Sequence, residues 1–176
     1  ALCQAAFYVD LAPDIRITEI MYNPADPSQA EIDEGFVDND EFEYIEIKNI
    51  SASETLPLWG LRFSNGVRYT FDNVSVAPGG FVVVARNIAA FNYRYPTFSG
   101  TVVGPFDDGM SLSNSGEKIE LDSPVGGIIH EFTYKDGWYD HTDGDGFSLT
   151  IRDPDAADGA MWDVSEGWRA SAGPGG

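Results

Sequence analysis

Carboxylates are the only reactive side chains this sequence supplies in quantity, and their crowding near the front of the chain points first to cation chemistry. Between Arg16 and Lys48 stand ten acidic residues and no basic one: Glu19, Asp26, Glu31, Asp33, Glu34, Asp38, Asp40, Glu41, Glu43 and Glu46. Calcium takes roughly 6 to 8 oxygen ligands and tolerates irregular loops, so carboxylates mixed with backbone carbonyls suit it. Asp38, Asp40 and Glu43 form the favoured ligand set for a structural calcium, and Asp143 with Asp145 in the DGDG turn form a second. An EF-hand is excluded. Counting from Asp38, Asp143 or Asp153 as first ligand, the sixth position is Glu43, Ser148 or Asp158 where glycine is needed, and the twelfth is Asn49, Pro154 or Val164 where glutamate is needed. The competing expectation is an acidic loop that is simply hydrated, with DGDG as an ordinary turn former. No cofactor is required by the sequence.

Catalysis finds less support. A glycosidase needs one carboxyl protonated and its partner ionised at a defined separation. Glu19 and Glu43 are the best such pair, since both fall on alternating runs whose other members are apolar. Hydrogen bonding near strand ends accounts for them equally well. His130 and His141 are the only histidines. His130 shares a face with Ile128, Phe132 and Tyr134 and reads as a structural, hydrogen-bonded histidine; His141 lies in an Asp/Gly loop. Neither has zinc-ligand spacing, and the chain has no Gly-x-Ser-x-Gly elbow and no phosphate-binding P-loop. The chain reads as a non-enzyme, with a carboxylate or metal-dependent hydrolase ranked last.

Charge and composition narrow the partners. Ten Lys+Arg against 29 Asp+Glu give a net charge of -19, which repels a phosphate backbone, so nucleic acid is a poor partner. Cys3 is the only cysteine, which excludes an intrachain disulfide and a thiolate metal site. No segment has the apolar length of a membrane helix, so membrane insertion is not expected. With 43% hydrophobic residues among 176, the chain can bury one core of ordinary domain size. Residues 1–14 read as an extension or linker, 15–170 as the domain, and the Gly/Pro-rich 171–176 as a second linker.

The elements that must position these side chains are mostly strands. Ile15 to Met21 alternates with Ile15, Ile17, Glu19 and Met21 on one face, and Glu43 to Ile47 with Glu43, Ile45 and Ile47. Asn65-Gly66 between short alternating runs predicts a hairpin with a type I′ turn. FVVVA at 81–85 has the length of a central strand. Asn87 is placed to cap a short helix carrying Ile88, Phe91 and Tyr95 on one side, closing one end of the sandwich. LSNSGEKIELDSPVGGIIHEFTY predicts two successive hairpins with Ile119 and Leu121 inward, and Phe147 to Arg152 a last strand. About eight short strands with a single short helix predict two packed antiparallel sheets.

Seven stretches taken in order, ITEIMYNP (17–24), FEYIEIKN (42–49), LWGLRFSNGVRYTF (58–71), VAPGGFVVVARNIAAF (76–91), LSNSGEKIEL (112–121), DGDGFSLTIRDPDA (143–156) and WRASAGPGG (168–176), resemble the lamin-tail domain family in its bacterial form. The resemblance implies an all-β, immunoglobulin-like antiparallel β-sandwich with one short helix and no catalytic motif. It implies a noncatalytic accessory, interaction or spacer module of a larger exported bacterial protein, located extracellularly, at the cell surface or in the periplasm. Its partners would be other domains of the same polypeptide or surface proteins. The alternative is a carbohydrate-binding module, since Trp138, Tyr139, Trp162 and Trp168 lie near acidic loop residues where they could stack on glycans.

Overall fold

The computed structural model describes residues 14–156 and 159–175. The strands, in chain order, are β1 (Ile15–Met21), β2 (Tyr44–Asn49), β3 (Leu56–Pro57), β4 (Arg62–Asn65), β5 (Tyr69–Thr70), β6 (Ser75–Val76), β7 (Phe81–Ala85), β8 (Thr101–Val103), β9 (Lys118–Asp122), β10 (Ile128–Thr133), β11 (Leu149–Ile151) and β12 (Trp168–Ala170). Two helices interrupt them, α1 (Gln29–Asp33) before β2 and α2 (Ile88–Arg94) before β8. Six strands form one sheet in the order β12-β11-β1-β2-β7-β8, four form a second in the order β10-β9-β4-β5, and β3 pairs with β6. Ile17, Ile47 and Val82 of the larger sheet share one buried cluster with Phe63, Ile119, Leu121 and Phe132 of the smaller. This is the predicted immunoglobulin-like β-sandwich.

The continuous apolar run of β7 is explained by cover on both of its faces. Val82 and Val84 enter the sandwich core, whereas Val83 and Ala85 join a second cluster with Met21, Tyr44 and Phe91. Helix α2 therefore lies on the outer face of the large sheet, where the sequence placed it at an end of the sandwich. Asn87 caps it as expected, accepting from the backbone N–H groups of Ala89 and Ala90. Its position also fixes a departure from antiparallel order. β8 pairs with β7 in parallel, a connection that needs a crossover segment, and α2 is that crossover.

A bulge in β1 redistributes its side chains. The β1–β2 register shifts between Ile17 and Glu19, so Ile20 and Tyr22 follow Ile15 and Ile17 into the core. Glu19 and Met21, expected beside Ile15 and Ile17, are sent to the outer face instead. β2 likewise begins at Tyr44, leaving Glu43 at the end of the 3-10 turn Asn39–Phe42.

The Asn65-Gly66 hairpin forms with a wider loop than predicted. Arg62 pairs with Thr70 and Phe63 with Tyr69, and Gly66 alone of the two turn residues has positive φ, at 82°. Val67 is fully buried, and drawing it into the core opens the two-residue turn. A Cβ on Gly66 would lie 2.4 Å from Ile119 Cδ1, so glycine serves close packing there as well as backbone freedom.

Of the two hairpins predicted between 112 and 134, only β9–β10 forms; Leu112 is in irregular chain. The last predicted strand shortens to β11, and the tryptophan-bearing tail adds β12 beside it. Residues 171–175, read from sequence as linker, run along the domain, with the N–H of Ser171 donating to Ser148 O at 2.9 Å and that of Gly175 to Gly146 O at 2.8 Å. The N-terminal extension up to residue 13, with Cys3, lies outside the described residues. No helix among the described residues is long and apolar enough to cross a membrane.

Candidate functional site

The acidic stretch is organised by protein donors, one carboxylate at a time. Ser28 caps α1 in a capping box, with Glu31 returning a bond to the Ser28 N–H at 2.7 Å. Ser-x-x-Glu ahead of this turn is a readable sequence signature, and it was the signal for a helix the sequence reading missed. Glu31 also accepts two bonds from the Arg94 guanidinium, from Nε at 2.6 Å and Nη2 at 3.0 Å, while Nη1 donates to Ala25 O at 3.2 Å. That pairing holds its carboxyl down near a pKa of about 2. The same guanidinium sits over the Phe42 ring, 3.2 Å from its centre, tying α1, α2 and the 3-10 turn together.

The three favoured calcium ligands take separate partners. Asp38 accepts from the Asp40 N–H at 3.1 Å, and Asp40 lies 3.2 Å from Arg86 Nη1. Glu43 is fully buried and accepts the Leu112 N–H at 2.9 Å through Oε2, while its Oε1 has no hydrogen-bond partner. Burial pushes its carboxyl up to about 9, so it is neutral at pH 7. In the second set, Asp143 accepts from Asn23 Nδ2 at 2.6 Å and Asp145 lies 3.0 Å from His141 Nδ1. Among the described residues, no three of the His, Cys, Asp and Glu side chains are grouped so that they could hold a metal ion.

Glu19 and Glu43 do not meet as a catalytic pair. The bulge carries Glu19 to the outer face, where its cross-strand partner is Glu46. Both border a cavity of about 270 Å³, walled by Tyr44, Phe91, Tyr95 and Phe98. Tyr44 and Ser148 donate their hydroxyls to Glu19, and the Thr18 hydroxyl donates to Glu46 at 2.6 Å. The rings pack edge to face, Tyr44 against Phe91 at 89° and Phe91 against Phe98 at 90°, which sets the walls near right angles. Burial raises both carboxyls, Glu46 to about 7, against the hydroxyl bonds from Ser148 and Tyr44 to Glu19 and from Thr18 to Glu46 and the weaker charge effects of Arg169 and Lys48. Strand alternation pointed away from this pair because the bulge reverses the face of Glu19.

His130 has the structural role its neighbours predicted. Its Nδ1 accepts the Ile17 N–H at 3.3 Å, joining the two sheets, and its ring meets Trp162 edge-on. Burial lowers its pKa to about 4, so Nε2 carries the proton at neutral pH. The aromatics proposed to stack on sugars are largely committed to packing. Trp162 and Trp168 are fully buried, with indole N–H groups donating to Ile17 O at 2.8 Å and Trp162 O at 2.9 Å. Half-buried Trp138 stacks beside Trp168, and the Tyr139 hydroxyl donates to backbone carbonyls of Ser165 and Trp168. They do not form an exposed platform. The outward-facing indole is Trp59, 59% exposed, which sequence reading did not single out.

A filled two-sheet interior, an accessory helix on one outer face and carboxylates engaged by protein donors define a binding or structural domain of the immunoglobulin-like class. The Lamin Tail Domain family matches residues 10–136, most of the sandwich, and the chain belongs to that family. No curated protein matches the chain.

Proposed function

We propose that this domain is a noncatalytic interaction or spacer module of a larger exported bacterial protein, working outside the cell or in the periplasm against other domains of its own polypeptide or against surface proteins. The observation that carries the reading is the packing of the sandwich interior, where both sheets contribute to one buried aliphatic and aromatic cluster. Chemistry needs convergent ionisable groups in a wet cleft. The carboxylate pair suggested for hydrolysis is instead separated, with Glu19 bordering the outer-face cavity and Glu43 sealed from solvent against the Leu112 N–H. Family membership and a net charge of -19, which favours solubility and discourages anionic partners, agree with a module of this kind.

The test is deletion of residues 15–170 from the parent chain. Turnover of any enzymatic domain on a small soluble substrate should be unchanged, while retention on the cell surface or on a binding partner falls. Loss of intrinsic turnover with retention intact would reverse the assignment.

A further inference from the structure

The outer-face cavity holds an arrangement the fold does not need for packing. Glu19 and Glu46 stand directly opposite each other on β1 and β2, the position at which like charges destabilise a sheet most. Neither has an ion-pair partner among the described residues, although hydroxyls from Tyr44, Ser148 and Thr18 fix their orientation. Around them stand aromatic rings at right angles, a surface that attracts a cation through its ring faces and an alkyl stem through burial. We propose that this cavity binds the ammonium group of a lysine side chain presented by a protein partner, with Glu19 and Glu46 sharing the charge and Tyr44, Tyr95 and Phe98 enclosing the stem.

Lysine suits the site better than arginine. A compact ammonium has three donors that two carboxylates on neighbouring strands can divide, whereas the planar guanidinium fork matches one carboxylate in two parallel bonds. The volume of about 270 Å³ is also that of a side chain rather than a folded segment. Of the chain's own cations, Arg94 is paired with Glu31, and Arg169 and Lys48 act on the two carboxyls through their charge without forming an ion pair to either. Tyr95, raised to about 12, stays neutral, so the two carboxyls are the groups that titrate in the cavity. Placing an ammonium between them drives the last proton off, and binding must release protons near pH 7.

The inference rests on the interaction-module reading, and its test is separate from the parent-chain deletion. The 176-residue chain is titrated with a blocked Gly-Lys-Gly peptide and with its norleucine counterpart, followed by NMR and by calorimetry in two buffers of different ionisation enthalpy. The lysine peptide should shift resonances of Thr97, Phe98 and Gly175, which line the cavity. It should release protons on binding, bind more tightly at pH 8 than at pH 6, and bind at least about tenfold more weakly to the E19Q/E46Q double variant. Equal binding of the norleucine peptide, shifts spread over the acidic surface, or affinity unchanged in a folded double variant would overturn it. If the double variant does not fold, the unsubstituted 176-residue chain decides alone: binding without proton release overturns the proposal. Such a failure would leave surface retention by the module untouched.

Discussion

Glu43 Oε2 accepts the backbone N–H of Leu112 across 69 residues of sequence, at 2.9 Å and out of contact with water. This bond pins the irregular segment ahead of β9 to the base of the acidic loop. It makes a carboxyl that sequence offered as a metal ligand into a neutral fastening between two loops.

The first prediction concerns pH. The folded state keeps the Glu43 proton to about pH 9, while an unfolded glutamate releases it near 4.5. The contribution is complete below the unfolded value and declines as pH rises through the folded one. Glu46, raised to about 7, acts with the same sign over the lower part of that range. Urea denaturation at pH 5, 7 and 9 should therefore show falling stability. Glu43→Gln should flatten the fall between 7 and 9, and Glu43→Ala should cost about 1–3 kcal/mol at pH 5 by leaving the Leu112 N–H unpaired. An E43Q profile parallel to the parent would contradict the assigned protonation.

The Glu31–Arg94 pair titrates the other way. Its side chains are 8% and 15% accessible, so removing one partner strands the other charge. Arg94→Ala should cost about 3 kcal/mol or more, and Ser28→Ala about 1 kcal/mol from the capping box alone. With Glu31 held near 2, the pair's contribution is full above about 4.5 and is lost as pH falls toward 2. A double-mutant cycle showing no coupling between positions 31 and 94 would refute the pairing.

Calcium at Asp38, Asp40 and Glu43, or at Asp143 and Asp145, is open to direct titration. Occupancy of the first set would have to draw Asp40 from Arg86 and ionise the buried Glu43. The expected outcome is a melting midpoint that is the same in millimolar calcium and in EDTA. A midpoint that rises with calcium and is lost in Asp40→Asn would restore the metal reading of the loop.

Trp162 offers a core test. Its indole N–H donates to Ile17 O at the β1 bulge, so Trp162→Phe leaves that carbonyl unpaired as well as a void. A loss of about 2–4 kcal/mol in denaturation is expected. The variant should retain most acrylamide-quenchable emission, because the exposed indole is Trp59. A near-neutral effect would show that Trp162 is not the plug the packing describes.

Elements governed by local spacing were legible in the sequence: the alternation of β2 and β9, the Asn87 cap of α2, the structural setting of His130 and the turn at Gly66. Features set by distant partners were not. Period-two reading cannot anticipate a bulge, so Glu19 was assigned to the wrong face and its pairing with Glu46 went unseen. Glu43 is defined by Leu112, and the acidic loop by Arg86 and Arg94, which lie far along the chain. The burial of Trp162 and Trp168 was hidden for the same reason, since tail tryptophans look alike in sequence whether they cover a core or face water.

The order β12-β11-β1 has a mechanical consequence. Two antiparallel steps leave β1 and β12 running in the same direction, so Ile15 and Ala170 sit toward opposite ends of the large sheet. Tension applied through both flanks of the sandwich therefore slides neighbouring strands lengthwise and loads their transverse hydrogen bonds together, rather than peeling them open singly. Pulled from its two flanks, the large sheet is loaded in shear along its strands.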